Sequence, residues 1–137
     1  NLSTAYEKGY LPALLGMAEI KVIEGDFEGA AELYETFFGD GACDKQDPAV
    51  LAKGCSSYAY CLIGMDHFEK AMEYCNQGLG YGDRDADQSL SFNKIVALEK
   101  MARWDEAYNE AKASAEQFPD DAEGMREYQF LETRAGQ

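Results

Sequence analysis

Positive charge is what this 137-residue chain has least of: 12 Lys and Arg stand against 26 Asp and Glu, a net charge of −14. Nucleic-acid binding needs clustered basic side chains to neutralise phosphates, and no such cluster occurs. An acidic partner is disfavoured on the same ground. The surplus carboxylates read as solvated helix faces and loops that confer solubility. Long hydrophobic runs are missing too. Nothing approaches the roughly 18 consecutive apolar residues of a membrane-spanning helix.

Histidine is reduced to one residue, His67, which falls beside Asp66 in a turn, the setting of an exposed turn residue rather than of a general base. Ser56 and Ser57 have no histidine predicted near them, and no glycine-rich strand-to-helix turn cradles phosphate. Neither enzymatic activity nor a cofactor is expected. Cys43, Cys55, Cys61 and Cys75 lack both C-x-x-C spacing and a histidine in ligand register, which argues against zinc. Three of them fall on apolar faces of predicted helices, where buried thiols act as small hydrophobes. Asp83-Arg84-Asp85-Ala86-Asp87 begins like a calcium loop. Gln88 then stands where glycine is needed and Lys94 where a bidentate glutamate would close the shell, so no metal site is expected there.

What the chain does contain is an internal repeat. Asp26-Phe27-Glu28-Gly29-Ala30, His67-Phe68-Glu69-Lys70-Ala71 and Arg103-Trp104-Asp105-Glu106-Ala107 each place an aromatic residue three positions before an alanine. Each copy opens a helical pattern, and each is preceded by another helical pattern and a short break. The apolar spacing predicts antiparallel hairpins over about 11–38, 48–79 and 87–118 and a last helix over about 122–135. Residues 1–8 read as a short helical end closed by Gly9. Asp47 caps the third long helix with Pro48 in its first turn. Asp66-x-x-Glu69 and Asp120-x-x-Glu123 have the spacing of capping boxes. The first hairpin buries Phe27, Ala30, Ala31, Tyr34 and Phe37, the second Leu51, Cys55, Tyr58, Ala59 and Leu62. Trp104 is expected to be largely buried.

The pattern resembles the tetratricopeptide repeat (TPR), a helix-turn-helix unit of about 34 residues. The small residues of the first helices would be Ala18 and Ala59, with Ile95 a departure. The aromatics are Phe27, Phe68 and Trp104, the alanines Ala30, Ala71 and Ala107, and the closing proline is present only as Pro119. The three alanines lie 41 and 36 residues apart, and both excesses over the family unit map onto loops. The resemblance covers nearly the whole chain as a single domain, 1–137. It implies an all-α fold, an α-solenoid of three antiparallel helical hairpins and a capping helix wound into a right-handed superhelix.

The resemblance further implies a concave face lined by the first helix of each hairpin. In register, this face would present Leu15, Glu19 and Val22, then Ser56, Tyr60 and Ile63, then Phe92, Asn93 and Val96. Tyr60 and Phe92 are the natural aromatic anchors. One family subset clamps a terminal carboxylate with Lys and Asn along this groove. Here Leu15, Glu19, Ser57 and Ser89 stand at such positions and only Asn93 offers a donor, so a carboxylate clamp is not expected.

The expected function is a non-catalytic module that binds a protein, as a peptide or helix, through that groove. Self-association would be weak. The alternative is a structural segment at the end of a longer repeat protein, with residues 1–8 as the tail of a preceding unit. The chain starts at Asn1 rather than Met, so a targeting signal or further repeats would lie upstream. A cytoplasmic setting is favoured, with attachment to the cell envelope through upstream sequence as the alternative.

Overall fold

Seven helices among the described residues carry the apolar periodicity of the sequence. A computed structural model describes residues 11–39 and 47–135, and no strand occurs among them. The helices are α1 (Leu11–Ile23), α2 (Phe27–Gly39), α3 (Pro48–Gly64), α4 (Phe68–Leu79), α5 (Arg84–Lys100), α6 (Trp104–Gln117) and α7 (Ala122–Ala135). Consecutive helices pair as α1/α2, α3/α4 and α5/α6, with α7 packed on α6. Between hairpins, α2 meets α3 and α4 meets α5, while α1, α3 and α5 lie side by side. That alignment of first helices creates the strip on which the site is built. The segment 1–8, Gly9 and Cys43 lie outside the described residues.

The three hairpin turns have one geometry. Gly25, Asp66 and Ala102 all have positive φ, at 83°, 63° and 59°. Each N–H bonds back three residues, to the carbonyls of Val22, Ile63 and Glu99 at 2.9–3.0 Å. The next residue's N–H bonds back five, Asp26 to Lys21, His67 to Leu62 and Arg103 to Leu98, at 2.8–2.9 Å. This pair of bonds closes a helix C-terminus around a left-handed residue. The carbonyls of Asp26, His67 and Arg103 then accept from Ala30, Ala71 and Ala107. One residue thus ends a helix and begins the next.

This geometry corrects the expected capping boxes. Asp66 is the left-handed residue that closes α3, and His67 precedes α4 without a side-chain cap bond. Asp121, rather than Asp120, immediately precedes α7, and its main-chain carbonyl accepts from Met125. The cap expected at Asp47 does form: its Oδ1 accepts from the Ala49 N–H at 2.9 Å. Asp83 plays the same part for α5, accepting from the Asp85 N–H at 3.2 Å. As a result α5 begins three residues before the expected start at 87. Asp85 and Asp87 occupy its first turn, where the helix dipole favours negative charge.

Small residues set the helix crossings. Ala18 and Ala30, Ala59 and Ala71, and Ala107 are fully buried, and Ile95 holds the third first-helix position. Gly78 lets α4 pass close to its neighbours: a Cβ there would lie 2.7 Å from Leu90 and 2.9 Å from Cys55. The first two hairpins share a core built around packed aromatic rings. Tyr34 and Tyr58 are 5.1 Å apart, and Tyr58 and Tyr74 are 4.5 Å apart. Cys55, Cys61 and Cys75 are buried in these layers. Burial pushes the Cys61 thiol up to about 11 and Cys75 up to about 12, so both stay protonated and unreactive at neutral pH.

The third hairpin and α7 close on a smaller cluster of Ile95, Leu98, Ala107, Ala111 and Leu131. Trp104 is only half-buried, contrary to expectation. It stands at the first position of α6, packed against that cluster, and the Arg134 guanidinium lies over its ring, 5.0 Å from the ring centre.

Candidate functional site

The strip contains a cavity of about 360 Å³ where α1, α3 and α5 run together. Glu19, Val22 and Ile23 enter it from α1 at the i, i+3, i+4 spacing of one helix face. From α3 come Ser56, Ser57 and Tyr60. Ser89 and Asn93 close it from α5, and Tyr34 of α2 reaches it from behind.

Tyr60 is the prominent feature of the strip. Its side chain stays 55% exposed in mid-helix, held at its inner edge by a 6.5 Å edge-to-face contact with Phe27. Ile23, at 85% exposure, forms the apolar rim opposite. Asn93 is buried, and its Nδ2 donates to the Ser56 carbonyl at 3.0 Å, tying α5 to α3. Its donor is thereby committed and its Oδ1 remains as an acceptor. Glu19 meets the Lys53 ammonium at 3.7 Å, outside the cavity, and Lys53 is 70% exposed. Such a solvated pair contributes little.

Tyr34 is fully buried and stacked on Tyr58, and its hydroxyl is closed off from solvent with the Ser57 side chain beside it. Burial pushes its phenol up to about 12, the nearby Ser57 side chain opposing this and the Glu19 charge adding to it. The phenol is therefore neutral at physiological pH. The Glu19 carboxylate, the Tyr34 hydroxyl and the Ser57 side chain thus sit within electrostatic reach of one another.

Two further depressions continue the strip. One, about 270 Å³, has Tyr60, Phe92 and Asn93 on its wall and Asp121 and Glu123 at its rim. The other, about 440 Å³, runs past Val50, Lys53, Ala86 and Asp85. Of the nine residues placed in the groove by register, Glu19, Val22, Ser56, Tyr60 and Asn93 come together around the first cavity, and Phe92 joins Tyr60 and Asn93 in the next. Leu15 does not belong to this wall. It is buried against α3 beside Gly54, where the missing side chain leaves room for it. Ile63 is half-buried against the first core, and Val96 is half-buried on α5 away from the cavity wall.

Tyr34 and Ile23 went unassigned to the site by sequence reading. Tyr34 shares an apolar face with Ala30, Ala31 and Phe37, which describes a core residue, and it also forms part of the cavity wall. Ile23 follows Val22 at the end of α1, and that adjacency was the available signal.

His67 is exposed in the α3–α4 turn. Asp83, Asp85 and Asp87 form the cap and first turn of α5. No group of three His, Cys, Asp or Glu residues placed to hold a metal ion occurs among the described residues.

Known proteins were compared at three levels. No protein-family profile matches the sequence, and no curated protein does. Among solved structures, a TPR-like protein from Chlorobium tepidum superposes with a TM-score of 0.71 over 93% of both chains, at 18% sequence identity. The fold is TPR-like. At this identity the similarity concerns the fold alone. No helix among the described residues is long and apolar enough to cross a membrane.

Proposed function

We propose that this TPR-like domain is a non-catalytic protein-interaction module that holds a peptide or a helix along the strip formed by α1, α3 and α5. The observation that carries this reading is the exposed Tyr60 ring at the middle of the strip, flanked by the exposed Ile23 and by two adjoining depressions. Aromatic side chains supply large contact area at low entropic cost, and they concentrate at the centres of binding surfaces. The bound segment is anchored by apolar side chains at Tyr60, Val22 and Phe92.

The test is peptide-library selection on the purified domain, run in parallel on a Tyr60→Ala, Phe92→Ala double variant whose helicity is intact. Peptides enriched on the parent and lost on the variant are expected. Selection that is unchanged on the variant would move binding away from the strip.

A second reading is supported by α1 itself. Met17 and Ile20 leave an apolar face of this helix exposed, at 46% and 58%, the situation of a helix on which a further repeat stacks. In that reading the domain is a scaffold segment of a longer repeat protein. Residues 1–8, which would distinguish the two, lie outside the described residues.

A further inference from the structure

We propose that the cavity between α1, α3 and α5 is a subsite for a basic side chain, lysine or arginine, of the bound peptide. The inference rests on the groove reading above and names the chemistry the groove selects.

The polar groups in the cavity are unbalanced. Glu19 supplies a negative charge and Asn93 an amide oxygen whose companion nitrogen is already bonded to Ser56. Lys53, the cation paired with Glu19, lies outside the cavity and is mostly solvated, so it can be displaced at little cost. A carboxylate entering here would meet the Glu19 charge. An apolar side chain would take water from the Glu19 carboxylate and the Asn93 oxygen without supplying a donor, and desolvating polar groups without a new partner is costly.

A lysine or arginine satisfies both ends. Its methylene stem packs along Val22, Ile23 and the Tyr60 ring, while its N–H groups reach the Glu19 carboxylate. The Tyr60 face also attracts the cation through its ring quadrupole. At about 360 Å³ the cavity lies toward the small end of ligand pockets, which run from about 300 to about 1,000 Å³. Asp121 and Glu123 at the rim of the adjoining depression extend the negative field along the strip.

The test sequences the peptides selected from a random library by the parent domain, by Glu19→Gln and by Glu19→Lys, with circular dichroism confirming that each variant is folded. The expected result is a basic residue enriched at a fixed distance from an apolar anchor on the parent, lost on Glu19→Gln and replaced by an acidic or neutral residue on Glu19→Lys. The apolar anchor should persist on all three. In the best parent peptide, exchanging the basic residue for an uncharged isostere (citrulline for arginine, norleucine for lysine) should weaken binding at least about tenfold on the parent, as expected for a charge-assisted hydrogen bond. The same exchange should have little effect on Glu19→Gln. Groove peptides lost on the Tyr60→Ala, Phe92→Ala variant but without basic enrichment would overturn the subsite and leave the groove reading standing. No selected peptide, or selection indifferent to that double variant, would overturn both.

Discussion

Three residues with the same backbone conformation carry different costs. Gly25, Asp66 and Ala102 occupy equivalent left-handed positions. Glycine adopts this conformation freely, whereas a Cβ crowds the following carbonyl. Ala102 is therefore the strained member, and Ala102→Gly is expected to stabilise the domain by about 0.5–1 kcal/mol once the greater freedom of glycine in the unfolded chain is counted. Gly25→Ala should have the opposite sign, destabilising by about 1 kcal/mol, since no neighbouring atom obstructs a Cβ there and only the backbone strain acts. Urea titration of both variants checks the pair. A destabilising Ala102→Gly would mean that the turn is not left-handed at that position. Sequence alone could not expose this strain, because alanine ordinarily signals helix and nothing in Met101-Ala102-Arg103 marks a positive φ.

At the scale of the element, the helix boundaries were legible where turn chemistry and apolar period agreed. All three hairpins and α7 fall within a few residues of their expected ranges. The start of α5 was misplaced because Asp83, Asp85 and Asp87 resemble both a loop and a capped first turn. Only the bond from the Asp85 N–H to Asp83 decides between them. Five of the nine expected groove residues reach one cavity because helical register fixes which face they share. Leu15 fails for a reason external to its own helix, the space left by Gly54 on α3.

The junction of α5 with α7 also contains a buried carboxyl group, Glu99, that no sequence pattern announced. Glu99 on α5 is pushed up to about 8 by burial, with the hydrogen bond and charge of Glu127 on α7 adding to the shift, while Lys100 and Arg134 oppose it. One of its carboxyl oxygens is buried without a partner in hydrogen-bond geometry. The folded state thus retains a proton that the unfolded chain releases near pH 4.5. The contribution of this group to stability is fully present below that value and is lost as pH rises toward about 8. Denaturation at about pH 5 and about pH 8.5 should show the domain less stable at the higher pH, and Glu99→Gln, which mimics the protonated acid, should reduce that difference. An equal loss in parent and variant would place the titration elsewhere.

The whole molecule carries a net charge of −14 on 137 residues, and folding brings these charges closer together than they are in the open chain. Of the five ion pairs among the described residues, Lys21–Asp26, Lys53–Glu19 and Lys70–Glu35 are 3.6–3.8 Å apart and well solvated, Arg103–Glu106 joins neighbouring turns of one helix end, and only Lys94–Glu110, at 3.0 Å, is mostly buried, so together they offset little of the repulsion. Added salt weakens both effects, but the repulsion is summed over every acidic face of the solenoid and the attraction over a few local contacts. Raising ionic strength from about 0.01 M to about 0.1 M shortens the screening length from about 30 Å to about 10 Å, below the span of adjacent hairpins. Stability should rise by about 1 kcal/mol and Tm by roughly 3–5 °C for a domain of this size. Thermal melts across that range check the sign. A falling Tm would show that local pairs outweigh the summed repulsion. The same screening acts oppositely on the proposed subsite, because the attraction of Glu19 and the rim carboxylates for a basic peptide weakens as the fold strengthens. Peptide affinity and Tm should therefore move in opposite directions with salt. Only a groove that recognises positive charge gives that pairing, since binding through apolar anchors alone would be nearly indifferent to ionic strength.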